Sequence, residues 1–224
     1  MYQACIFDLD GTLADTLASI GGFANQALNA LGYPAIPIEE YRLLVGNGAD
    51  MLMRGMLRRT AGSYTEEDVQ RLRRVYDDLY EADPVRDVQN YPGMPELVAA
   101  LRREQLPAAV LSNKPHNVVC TIVVALFPAG SFRLCYGQRD GVPRKPDPKG
   151  ALLIAGELAV PPSHILYIGD TDVDMKTATA AGMDSVGVLW GFRGREELER
   201  NHARFLAQRP ADILEFMHGC PALR

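Results

Sequence analysis

Three stretches of the 224-residue chain set carboxylates, hydroxyls and amines at spacings that suit chemistry. Asp8-Leu9-Asp10-Gly11-Thr12 places two acids on either side of one residue. Acids so placed can divide their roles, one as nucleophile and one as acid/base. Gly169-Asp170-Thr171-Asp172-Val173-Asp174 carries Asp170 and Asp174 four apart, on one face if a helix begins there. Ser112-Asn113-Lys114 offers a hydroxyl from Ser112 and a backbone N–H from Asn113 at the start of a helix. Lys145, in Arg144-Lys145-Pro146-Asp147-Pro148, is a candidate fixed cation. Asp8, Asp10, Asp170 and Asp174 gathered in one crevice would repel one another, by about 4 kcal/mol for each pair about 4 Å apart at an effective dielectric of about 20. Such a cluster either raises its pKa values or holds a cation. All-oxygen donors suit Mg²⁺, which takes one or two carboxylates together with water and phosphate oxygens. A carboxylate nucleophile, Mg²⁺ and phosphate donors point to phosphoryl transfer through an aspartyl-phosphate.

Short apolar runs lead into these residues. Ala4-Cys5-Ile6-Phe7 precedes Asp8, Ala108-Ala109-Val110-Leu111 precedes Ser112, and Ile165-Leu166-Tyr167-Ile168 precedes Gly169. Continuous apolarity is what a parallel strand covered on both faces requires. Leu134-Cys135-Tyr136 and Ser185-Val186-Gly187-Val188-Leu189 are weaker members of the set. Helical patterns alternate with them at Pro95 to Gln105, Pro115 to Phe127, from Pro148 through Leu158, and from about Thr171 to Ala181, where Gly182 is a left-handed stop. This alternation predicts an α/β fold, a doubly wound, Rossmann-like parallel sheet, in which function lies outside the carboxyl ends of the strands.

Residues 15–87 break the alternation. Leu17, Ile20, Ala24, Ala27, Leu28 and Leu31 form an apolar helical stripe closed by Gly32 and Pro34. Thr65 with Asp68 three residues on reads as a helix start. Val69, Leu72, Tyr76, Leu79 and Tyr80 follow at helical spacing. The expected division is an α/β core of residues 1–14 and 88–224 with a helical cap, residues 15–87, inserted after the first strand.

Composition narrows the partners. Hydrophobic residues make up 47% and charged residues 23%, an ordinary globular balance that excludes intrinsic disorder. A net charge of −5 gives no basic footprint for nucleic acid. The chain shows no long apolar run for a membrane helix and no basic, apolar start of a secretory signal. Cys5, Cys120, Cys135 and Cys220 lack C-x-x-C spacing and read as reduced thiols of a cytoplasmic protein. The four histidines are scattered, and neither a G-x-G-x-x-G nor a Walker A pattern occurs.

The ordered set as a whole resembles the haloacid-dehalogenase-like (HAD) hydrolase superfamily over nearly the whole chain. Asp8-Leu9-Asp10-Gly11-Thr12-Leu13 resembles its first motif and Leu111-Ser112-Asn113-Lys114-Pro115 its second. Lys145-Pro146-Asp147-Pro148 resembles the third and Gly169-Asp170-Thr171-x-x-Asp174 the fourth. The resemblance implies Asp8 as nucleophile and Asp10 as general acid/base. It implies Mg²⁺ held by Asp8, the backbone carbonyl of Asp10 and Asp170, with Asp174 supporting the metal's water shell. It implies Ser112, Asn113 and Lys145 as the phosphoryl-binding residues. The acid at position 10 argues against a dehalogenase, a branch that lacks it. Within the superfamily the chain is most similar to phosphoglycolate phosphatases. Val45-Gly46-Asn47-Gly48-Ala49-Asp50 resembles their cap segment, which makes Gly46 and Asn47 candidate substrate contacts, and Trp190-Gly191-Phe192 resembles their stretch after the last core strand. Gly137-Gln138-Arg139-Asp140-Gly141 departs from their Gly-Gly-Asp-like turn. The expectation is an Mg²⁺-dependent phosphatase for a small phosphorylated metabolite, with 2-phosphoglycolate as leading substrate. A phosphosugar mutase or an inorganic pyrophosphatase on the same scaffold is the enzymatic alternative, and a phospho-ligand-binding regulatory protein the non-enzymatic one.

Overall fold

A computed structural model of the chain describes residues 1–219, so Cys220 lies outside the described residues. The elements, in chain order, are β1 (Ala4–Phe7), β2 (Ala14–Asp15), α1 (Leu17–Ala30), α2 (Ala49–Thr60), α3 (Glu66–Ala82), β3 (Gln89–Asn90), α4 (Met94–Arg103), β4 (Ala108–Pro115) and α5 (His116–Leu126). There follow β5 (Leu134–Gln138), α6 (Lys149–Leu158), β6 (Ile165–Gly169), α7 (Asp172–Ala181), β7 (Asp184–Val188), α8 (Arg195–Arg200), β8 (Phe205–Ala207) and α9 (Pro210–Met217). Short 3₁₀ turns cover Ile38–Leu43 and Pro162–His164. The chain divides into two compact units, one holding Met1–Asp15 and the chain from Gln89 onward, the other Thr16–Val88.

The first unit is built on a six-stranded sheet ordered β5-β4-β1-β6-β7-β8, with every pairing parallel. The doubly wound α/β fold is therefore borne out. The three strands read most clearly in the sequence sit together: β1 is flanked by β4 and β6. All four residues of β1 and all five of β6 are buried, as continuous apolarity demands of strands covered on both faces. One face packs Ile6, Ala109, Leu111, Ile165 and Tyr167 against Ala151, Ile154 and Ala155 of α6 and Ala178 and Ala181 of α7. Gly182 stops α7 in the left-handed conformation, φ +70°. Pro148, expected in the first turn of its helix, stands one residue ahead of it as the N-cap of α6. The strand order reverses across β1, and parallel strands around such a point open a crevice beyond their carboxyl ends. Cys5 is buried, Cys120 and Cys135 are half-buried, and all three are free thiols.

The second unit holds α1, α2 and α3 and, among the described residues, no strand. Its interior is apolar: Leu17, Ile20, Phe23, Ala24, Ala27 and Leu28 of α1, Met53, Met56 and Leu57 of α2, and Val69, Leu72, Tyr76 and Tyr80 of α3. The Thr65–Asp68 start of α3 is a complete capping box: Asp68 N–H donates to Thr65 Oγ1 at 3.3 Å and Thr65 N–H donates to Asp68 Oδ2 at 2.8 Å.

Candidate active site

At the end of β1, the Asp8 N–H donates to the Ile168 carbonyl of β6 at 2.9 Å, which keeps Asp8 on the sheet as its side chain enters the crevice. The chain then turns, with the amides of Thr12, Leu13 and Ala14 donating back to the Leu9 carbonyl. Gly11 makes this turn at φ +81°, and a Cβ there would run into the Asp170 carboxyl group. Glycine is required because the loop must both adopt a left-handed conformation and close on an acid.

Asp170, at the exit of β6, is fully buried and held from two sides. Thr12 Oγ1 donates to its Oδ1 at 3.2 Å, and the Phe192 N–H donates to its Oδ2 at 2.7 Å. The Trp190-Gly191-Phe192 segment is anchored in turn by the Trp190 indole, which donates to the Thr12 carbonyl at 3.0 Å. Gly191 has no room for a side chain, because a Cβ would lie 2.6 Å from the Gly11 carbonyl oxygen. Asp174 closes the site from the first turn of α7. Its Oδ2 accepts from Thr171 N at 3.1 Å and Thr171 Oγ1 at 2.8 Å, a second capping box whose acid is buried. Its Oδ1 receives Lys145 Nζ at 2.7 Å.

Asp8, Asp170 and Asp174 each present a carboxylate oxygen within 4.8 Å of the other two, and all three are buried. Burial pushes the Asp8 carboxyl up to about 7; Lys145 opposes that, while Asp174 and Asp10 add to it. Burial and then the charges of Asp174 and Asp8 drive Asp170 well above the usual carboxylate range. Acids destabilised in this way, with only oxygen donors, fit a hard divalent cation, which would relieve the repulsion that burial magnifies.

Lys145 is the cation already built in. Its Nζ lies 2.9 Å from Asp8 Oδ1 and 2.7 Å from Asp174 Oδ1. Burial alone would lower its pKa, but Asp174 and Asp8 outweigh burial and hold it well above the ordinary lysine value. Asn113 fixes its place: the Asn113 amide donates to the Lys145 carbonyl at 3.0 Å, and Lys145 N–H donates to Asn113 Oδ1 at 2.8 Å. The Asn113 side chain thus locks Lys145 to the end of β4, a use that spacing could not reveal. Ser112, also buried, lies next to it on β4. Because that strand runs on to Pro115, the Asn113 N–H lies within the strand and not, as the sequence suggests, at the start of a helix, which begins at His116.

Asp10 does not join the buried triad. Its Oδ1 accepts from Lys114 Nζ at 2.9 Å, with the two side chains 12% and 7% exposed. No spacing in the sequence foretells the pairing of Lys114, which stands two residues beyond Ser112 on β4. The two lysines halve the formal charge of the four acids, and one divalent cation would cancel the remainder. The structure thus brings together Asp8, Asp10, Ser112, Asn113, Lys145, Asp170 and Asp174 in the α/β unit. Gly46 and Asn47 lie in the helical unit, in the turn before α2, with Gly46 at φ +119° and Asn47 exposed.

Comparisons with known proteins place this geometry among relatives. A family model described as haloacid dehalogenase-like hydrolase matches residues 5–188. A phosphoglycolate phosphatase of Shigella boydii is 32% identical, with 93% of this chain and 89% of that protein covered. A solved structure from Lactobacillus delbrueckii subsp. bulgaricus superposes with a TM-score of 0.92 at 30% identity, covering 96% of this chain and 98% of that one. A predicted phosphoglycolate phosphatase from Haemophilus somnus superposes with a TM-score of 0.88 at 26% identity, covering 96% and 97%.

Proposed function

The chain belongs to the haloacid dehalogenase-like hydrolase family and is a phosphoric monoester hydrolase, and we propose that it hydrolyses a small phosphomonoester, 2-phosphoglycolate first among them, in an Mg²⁺-dependent reaction through an aspartyl-phosphate at Asp8. The observation that carries this reading is the convergence of Asp8, Lys145, Asp170 and Asp174 in one buried cluster at the carboxyl ends of adjoining strands.

In the first half-reaction an Asp8 carboxylate oxygen attacks phosphorus in line with the leaving oxygen. The new O–P bond forms as the ester O–P bond breaks, and Asp10 gives its proton to the departing oxygen. In the second, Asp10 takes a proton from a water molecule. That water attacks the phosphorus of the aspartyl-phosphate, freeing inorganic phosphate and regenerating Asp8. Lys145 offsets negative charge beside the nucleophile, and Ser112 and the Asn113 N–H bind the phosphoryl oxygens. Mg²⁺, when bound by Asp8 and Asp170 with the Asp10 carbonyl and supported by Asp174, supplies electrostatic stabilisation of the transferring group. The helical unit acts as a cap, residues 15–87 over a core of 1–14 and 88–224, that closes on the substrate, with Gly46 and Asn47 contacting it.

The test is phosphate release from 2-phosphoglycolate, pyrophosphate and a panel of sugar phosphates, with and without Mg²⁺, by the wild type and Asp8→Asn. The expected result is metal-dependent release, greatest for 2-phosphoglycolate and absent in the variant. Isomerised sugar phosphate without free phosphate would replace this reading with a mutase. Ligand binding without turnover would replace it with a binding protein.

A further inference from the structure

The site holds two lysines, and they pair with different acids. Lys145 lies between the proposed nucleophile Asp8 and Asp174, at 2.9 and 2.7 Å. Lys114 lies at 2.9 Å from Asp10, the proposed acid. In-line displacement puts the leaving oxygen opposite the nucleophile, beside the acid that protonates it. The Lys114 ammonium therefore borders the space where whatever is esterified to that oxygen must lie. Ser112 and Lys114 are two apart on β4, where the pairing with β5 shifts register, and the Lys114 N–H donates to Ser112 Oγ at 3.4 Å. The irregularity draws the Lys114 backbone to Ser112, so a molecule whose phosphoryl group rests at Ser112 lies beside this residue.

On the phosphatase reading above, we propose that Lys114 forms the subsite for the substrate's carboxylate, so that discrimination against phosphate esters of neutral alcohols rests on this one residue. A lysine side chain only 7% exposed has given up most of its hydration. Its ammonium already pairs with Asp10, and a neutral leaving group laid against it adds no second charge. A carboxylate one carbon from the ester oxygen adds a charge-assisted hydrogen bond beside that pair. Because Asp10 sits on the same ammonium, the subsite ties recognition of the leaving group to the residue that must protonate it.

The experiment compares 2-phosphoglycolate with 2-hydroxyethyl phosphate, which is of the same length but ends in a neutral hydroxyl. The quantity read is the ratio of kcat/KM for the two esters in wild type, Lys114→Gln and Lys114→Arg. A hydrogen bond to a charged group contributes about 1.5–3 kcal/mol, a factor of roughly 10 to 150. The wild-type ratio should favour 2-phosphoglycolate by that order. It should collapse towards unity in Lys114→Gln, chiefly through a higher KM for 2-phosphoglycolate, and recover in part in Lys114→Arg. Equal losses of kcat for both esters in Lys114→Gln, with the ratio intact, would show that Lys114 only positions Asp10 and would overturn the subsite. A wild type that hydrolyses both esters equally well would overturn it too, leaving the phosphatase reading in place. Release of phosphate from neither ester would remove the phosphatase reading and the subsite with it.

Discussion

The two units of the chain treat charge in opposite ways. In the α/β unit, Asp8, Ser112, Asn113, Lys145, Asp170, Thr171 and Asp174 are all buried. In the helical unit the buried polar residues are Thr16 and Ser19, while ion pairs such as Arg54–Glu66 and Arg59–Glu40 lie at its surface. Burying acids beside acids works against folding unless something compensates them. The contrast teaches that the α/β unit bears the electrostatic strain of chemistry, and that the helical unit is an ordinary apolar bundle with a solvated exterior.

Substitutions should reproduce this asymmetry. Asp8→Asn should lower kcat by at least about 10⁴-fold with the near-ultraviolet circular dichroism unchanged, because it removes the attacking oxygen. Asn47→Ala, in the helical unit, should raise KM by about 10-fold or less, the weight of one lost contact at about 1.4 kcal/mol, and leave kcat near wild type. A collapse of kcat in Asn47→Ala would break the comparison by moving chemistry into the helical unit.

Lys145→Met comes next. It strips a cation from between two buried acids, so kcat/KM should fall about 10²–10³-fold. Denaturant unfolding without metal should show a loss of about 3–5 kcal/mol. Exchanging Glu40 for Gln in its exposed pair with Arg59 should cost less than about 1 kcal/mol in the same assay. Equal losses at the two places would erase the distinction between buried and solvated charge.

The metal-free protein should also carry the mark of its acids in its pH profile. The Asp8 carboxyl is raised to about 7 in the folded chain, against about 3.9 when unfolded. The native state therefore binds more protons across that window, and Asp8's contribution to stability must fall as pH rises from about 4 to 7. Mg²⁺ competes with those protons, so the rise in Tm that it produces should be larger at pH 8 than at pH 5. A rise of the same size at both values would mean that the cation binds elsewhere. The smallest expected change is Thr65→Ala, which removes the hydroxyl half of the α3 capping box. It should cost about 1 kcal/mol and leave kcat untouched.

Much of this was legible in the sequence. Continuous apolar runs mark β1, β6 and the first half of β4, as strands buried on both faces require. But β4 runs on through Ser112, Asn113 and Lys114 to Pro115, a polar stretch that the sequence reads as a strand end. The acids, Ser112 and Lys145 stood out because they follow those runs or a proline-bounded turn. Other features left no such trace. β2 and β3 have two residues each and β8 three, too few for a periodicity. The bond from Phe192 N–H to Asp170 comes from a backbone group, which no side-chain pattern records. Lys114 was hidden by its neighbours: beside Ser112 and Asn113 it reads as part of a loop, and its pairing with Asp10 spans 104 positions that only the sheet order brings together.

The central claim is that Asp8 carries the phosphoryl group between substrate and water, and the most direct test is to look for it there. A single-turnover mixture of enzyme, Mg²⁺ and 2-phosphoglycolate would be acid-quenched on the millisecond scale and digested, and the peptide bearing Asp8 and Asp10 examined by mass spectrometry. The account predicts a transient phosphoryl adduct on Asp8 that forms no more slowly than free phosphate appears and is absent in Asp8→Asn. Free phosphate produced with no adduct at any time, or an adduct on another residue, would contradict it.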